Sequence, residues 1–139
     1  MRLNRLVLAV LAGFIVLMAV NTVFYPMVFP DGPPDKLWNQ RTAPLVPLQV
    51  AATLITAALM AWMYPIGYRG KKPPWTEGLR FGLLLGAFLA VPMAMHTFAR
   101  ADIAPGLLLT PVLWTLVTFG ITGIAIALVY GQTLVKTTE

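Results

Sequence analysis

Four blocks of apolar sequence, residues 6–28, 44–66, 77–98 and 105–130, decide most of what this chain can become. Each reaches or exceeds the ~20 residues that cross a hydrocarbon layer as a helix. No Asp, Glu, Lys or Arg lies well inside them; Glu77 and Arg80 sit at an edge. Of 139 residues, 58 % are hydrophobic and 11 % charged, and the mean hydropathy is +0.77. A water-soluble domain of this length cannot hide that much apolar surface. The expected fold is all-α: one integral membrane domain, residues 1–139, folded as a four-transmembrane-helix bundle. The first block follows Arg2 and Arg5, as the core of a secretory signal would. Its apolar stretch is long for that role, and it reads as an uncleaved span. Pro44 and Pro105 are placed to open the second and fourth helices, where a missing N–H costs little.

Charge sets the expected direction. Four spans bring both termini to one side, with Arg2, Arg5, Arg69, Lys71, Lys72, Arg80 and Lys136. The opposite side has Lys36, Arg41 and Arg100, offset by Asp31, Asp35 and Asp102. The basic excess assigns the termini and the 67–76 loop to the cytoplasm. The net charge of +5 is thereby read as a topology signal, with nucleic acid excluded as a partner. A patch for anionic lipid head groups around residues 69–72 is the alternative use of the charge. Tyr64, Tyr68, Trp75 and Tyr130 on the inner side, and Tyr25, Phe29, Trp38 and Phe98 on the outer, suit interfacial belts. The long outer loop, residues 29–43, reads as a connector, a lid or a docking segment.

The halves of the chain match in order. MAVNT at 18–22 answers MAMHT at 93–97, and Ala43-Pro44 answers Ala104-Pro105. TLIT at 53–56 answers TLVT at 115–118, and Tyr68 answers Tyr130. These matches suggest a duplicated two-helix hairpin, a parallel repeat about the membrane normal.

Within the third block, Gly78, Gly82, Gly86, Ala90 and Ala94 recur every fourth residue. At 3.6 residues per turn they form one shallow groove. Membrane helices gain little from apolar burial, because lipid is equally apolar; they gain from close backbone approach. The groove is a helix-packing surface, either inside the bundle or against another chain. Weaker ladders lie at Thr53, Ala57 and Ala61, and at Gly123, Ala127 and Gly131.

Chemistry-bearing residues are few. The chain has no cysteine and no serine, which removes thiolate metal sites and serine nucleophiles. Proton and ion pathways usually need ionisable groups inside the membrane. Asn21, Gln49, His96 and several threonines are the polar inventory. Counting ~1.5 Å per residue places Asn21, Gln49, His96 and Trp114 in one leaflet, the outer. They form a candidate outer-leaflet pocket for a lipid, a quinone or another small molecule; the plainer reading is hydrogen bonding between helices. His96 alone offers one axial ligand to a haem or chlorophyll, and the cofactor is otherwise unknown. No metal site is expected. Pro92 and Pro111 should bend their helices and could open a cavity.

EGLRFGLLLG at 77–86, followed by a last span ending ALVYG at 127–131, resembles small four-span bacterial inner-membrane proteins of uncharacterised function. The resemblance covers mainly the second half. It implies a bacterial cytoplasmic (inner) membrane, and it brings no catalytic residues. The expected function is non-enzymatic: an accessory or structural subunit packing against helices of itself or of a larger membrane complex. Its expected partners are membrane lipids and other membrane chains. The alternative is a small carrier or binding protein using the outer-leaflet pocket.

Overall fold

A computed structural model of the chain describes residues 3–28, 45–68, 73–100 and 105–131. Helix α1, Leu3–Ala19, passes through one π-helical turn, Val20–Phe24, into the short α2, Tyr25–Val28. Three single helices follow: α3, Val46–Gly67; α4, Pro74–Arg100; and α5, Pro105–Gly131. Four rods are thus long and apolar enough to span a membrane. The protein is a small multi-pass integral membrane protein, and its described residues contain no strand.

Prolines set the helix starts, though not always the expected ones. Pro105 opens α5. Pro44 lies outside the described residues; α3 starts at Val46, and the proline in its first turn is Pro47. There the Leu48 and Gln49 N–H groups donate to the Leu45 carbonyl at 3.0 and 3.1 Å. Pro74 starts α4, and Thr76 and Glu77 donate to the Pro73 carbonyl at 3.0 and 3.2 Å. The π turn has a cause of the same kind. Pro26 cannot donate to the carbonyl four residues back, Thr22, and its ring crowds that carbonyl. A widened turn falls at that place, and π turns are common where a helix must absorb such a conflict.

Packing follows residue size. The buried positions are mostly small: Ala9, Gly13, Ala57, Ala61, Gly78, Gly82, Gly86, Ala90 and Ala127, with Met60 and Ile126 among them. Large apolar side chains such as Leu8, Ile15, Ile55, Phe88 and Leu113 point outward. A soluble core would invert that order. In lipid it is the expected arrangement, because outward leucines lose nothing and small residues let backbones meet.

The most extensive interface joins α4 to α5, while α1 packs into the angle between α3 and α5. The α4 groove is therefore internal. A Cβ on Gly78 would overlap the Gly123 carbonyl, and one on Gly82 would overlap the Phe119 carbonyl. At Gly86 a Cβ would lie 3.2 Å from Phe119 Cβ and 3.3 Å from Leu116 Cα. The other two ladders are internal as well. Ala57 and Ala61 are fully buried, and Ala57 Cβ lies 3.6 Å from where a Gly13 Cβ would stand. Gly123 and Ala127 face α4.

The two hairpins pack unequally. A strict two-fold would make the α1–α5 and α3–α4 contacts equivalent, yet α1 and α5 pack closely while α3 and α4 scarcely touch. An open seam runs between α3 and α4.

At one end the bundle closes on aromatics. Tyr64 and Tyr130, expected in an interfacial belt, pack inward instead: Tyr64 is buried and Tyr130 half-buried. Their rings stack with centroids 5.6 Å apart, and Phe81 meets Tyr64 edge-on at 5.5 Å. The glycine contacts draw α4 and α5 together at this end. Trp75 and Phe98 remain exposed near helix ends, as belt residues would be.

Candidate functional site

α1 with its π turn, α3 and α5 border an open cleft of about 170 Å³. Leu17 comes from α1, Asn21 from the π turn, Thr53 and Thr56 from α3, and Trp114, Thr115, Thr118 and Phe119 from α5. The two matched motifs, TLIT and TLVT, thus converge: all four of their threonines line one space. Threonines three apart share a helix face, and these two faces meet across the cavity.

The hydrogen bonds determine what the cavity offers. The Thr53 hydroxyl donates to the Gln49 carbonyl at 2.9 Å, Thr56 to Ala52 at 2.9 Å, and Thr115 to Pro111 at 2.8 Å. Each hydroxyl has spent its proton on its own helix and keeps acceptor lone pairs. Asn21 Nδ2 donates to the Leu17 carbonyl at 2.9 Å, at the edge of the π turn. Its side-chain carbonyl is an acceptor too. Thr118 differs: its residue is 3 % exposed, and its hydroxyl has no partner. Its backbone carbonyl accepts the Thr122 hydroxyl at 2.7 Å. An unpaired buried hydroxyl is costly, on the order of 1–3 kcal/mol.

Of the four residues expected in an outer-leaflet pocket, Asn21 and Trp114 line this cavity and two do not. Gln49 and His96 lie on exposed positions of α3 and α4. Gln49 contributes only its backbone carbonyl, as the acceptor for Thr53. The reason is rotational: residues at one depth can point to any side of a helix, and the count from the helix ends fixed depth alone. His96 reaches no other His, Asp or Glu pair, and the described residues contain no group of three that could hold a metal. Asp102, which could have paired with His96, lies outside the described residues. The threonines were counted in the polar inventory but not assigned to the pocket; the signal that groups these four was the TLIT and TLVT match.

A second space, about 90 Å³, separates α4 from α5 beyond the glycine contacts. Ala94, Thr97 and Pro111 are among its lining residues. Ala94, the last step of the small-residue edge, therefore borders a gap and is only half-buried, while Gly78, Gly82, Gly86 and Ala90 are buried.

Compared with known proteins, the chain matches no family model, no curated protein and no solved structure.

Proposed function

We propose that the protein is a non-enzymatic membrane protein that holds a small hydroxylated group, such as a lipid head group, in the threonine cavity. One observation carries this reading: the four threonines of the two matched motifs converge on a space where the Thr118 hydroxyl lacks a partner. The lining mixes acceptors, the hydroxyl oxygens of Thr53, Thr56 and Thr115, with donors, the Thr118 hydroxyl and the second N–H of Asn21. That suits a ligand hydroxyl, which both donates and accepts. The lining also holds no carboxylate, imidazole or amine. Proton transfer and nucleophilic attack near neutral pH rest on such groups, which supports a binding role over an enzymatic one.

Thr118→Val tests the reading, because it replaces the unpaired hydroxyl with a methyl of similar size. With a bound head group, the variant should lose the lipid adduct seen by native mass spectrometry and gain no stability. If the cavity is only a packing defect, removing the orphan hydroxyl should stabilise the chain by roughly 1 kcal/mol or more and leave bound mass unchanged.

A second reading, an accessory subunit in a homo-oligomer or larger membrane complex, is favoured by the open seam. The α4 groove cannot carry it, since α5 fills that groove. The scant contact between α3 and α4 leaves room for a helix from elsewhere. Intact-assembly mass spectrometry after gentle extraction separates the readings. A defined partner would favour the second, and a lone chain with bound lipid the first.

The placement proposed is a bacterial inner membrane with both termini cytoplasmic, supported by the basic residues near the termini and in the 67–76 loop. Because the chain has no cysteine, single-cysteine labelling is clean. Gly32→Cys should react with an impermeant reagent added to whole cells, and Gly70→Cys should not. The opposite pattern reverses the orientation. Both positions lie outside the described residues.

A further inference from the structure

At the aromatic end, away from the threonines, α3 and α4 border a cavity of about 210 Å³. Tyr64, Tyr68, Glu77, Arg80 and Phe81 line it. Glu77 is the anomaly. Only 6 % of it is exposed, yet its carboxylate has no ion pair or hydrogen bond among the described residues. In the same lining the Tyr64 hydroxyl is buried without a partner. An unpaired carboxylate that lines such a cavity favours a cation as its occupant.

The walls define the cation. Tyr64 and Phe81 meet at 5.5 Å, and Tyr64 and Tyr68 at 5.8 Å, so three packed aromatic rings share the lining with the acid. Rings flanking a carboxylate suit an ammonium, by cation–π attraction and charge together. The Tyr64 oxygen and the Glu77 carboxylate both accept hydrogen bonds, which a primary ammonium supplies and a quaternary one does not. Arg80 stands three residues beyond Glu77 on the same helix and is exposed. A guanidinium there suits a phosphate bonded close to the ammonium. Glu77 lies in the first turn of α4, which places the pair at the depth of lipid head groups.

We propose that this cavity binds a phosphoethanolamine group, with the ammonium on Glu77 and Tyr64 and the phosphate on Arg80. The group comes either from phosphatidylethanolamine of the surrounding membrane or from a soluble phosphoethanolamine ester. The site stands apart from the threonine cavity, and neither depends on the other.

The test uses the full chain, purified in mild detergent and titrated with short-chain phosphatidylethanolamine, phosphatidylcholine and phosphatidylglycerol under native mass spectrometry. Soluble phosphoethanolamine serves as a competitor. The wild type should prefer phosphatidylethanolamine at least tenfold over the other two. Glu77→Gln should abolish that preference. Arg80→Gln changes an exposed residue and should fold; it should weaken phosphatidylethanolamine binding severalfold. Competition by the soluble ester identifies a water-borne source, and its failure identifies the lipid; either supports the site. Equal binding of the three lipids by the wild type would overturn the proposal. So would unchanged phosphatidylethanolamine affinity in Arg80→Gln, or full preference retained in a folded Glu77→Gln.

Discussion

Gly82→Ala should destabilise the bundle by about 1–3 kcal/mol, the usual range for overpacking a tight contact, and Gly82→Leu by more. The added Cβ meets backbone: it would overlap the Phe119 carbonyl and lie 2.9 Å from Gly120 Cα. Backbone within a helix cannot step aside without breaking its own hydrogen bonds, so α4 and α5 must move apart. Two other glycines calibrate the result. At Gly13 the nearest atom to a Cβ is the flexible tip of Ile126, at 3.1 Å, so Gly13→Ala should cost much less. At Gly106 nothing lies within 4 Å, and Gly106→Ala should be neutral or stabilising by up to about 1 kcal/mol, the helix-propensity gain. Unfolding by titration with denaturing detergent ranks the three. Equal effects at Gly82 and Gly106 would mean that the two helices do not approach as described. Because the contact is internal, the loss should appear in the isolated chain, in stability and in expression, before any question of assembly.

That ranking also shows what sequence carries and what it does not. The spans were legible because lipid imposes a length and an apolar composition on any crossing helix. The small edge of α4 was legible as a contact surface because nothing else explains small residues every fourth position. Its partner was not, since a groove records how close a neighbour comes and says nothing of which neighbour. The same gap explains His96 and Gln49. Their depth could be counted, but their bearing around the helix depends on how each rod is rotated in the bundle. The threonines were visible as polar residues within the spans and as a likeness between two motifs, and it took the packing of α3 and α5 about α1 to show that the two face each other. Glu77 and Tyr64 were read as boundary residues from their place near helix ends. Burial at an end depends on whether the helices converge there, and they converge because Gly78 and Gly123 let them.

Tyr130→Phe should cost about 1–3 kcal/mol, although it removes a single oxygen. Pro65 lies inside α3 and has no N–H, so the Ala61 carbonyl four residues earlier loses its helical donor. In lipid no water replaces that donor. The Tyr130 hydroxyl, on another helix, donates to the Ala61 carbonyl at 3.0 Å. One helix thus repairs the backbone of another, and the stacked Tyr64 ring holds the repairing side chain in place. A double-mutant cycle isolates the effect. Pro65→Ala restores an N–H one turn beyond Ala61 and lets α3 satisfy its own carbonyl. In that background Tyr130→Phe should lose most of its cost, giving a coupling of about 0.5–3 kcal/mol between residues on different helices. Strictly additive losses would show that the Tyr130 hydroxyl matters for some reason other than the gap that Pro65 leaves.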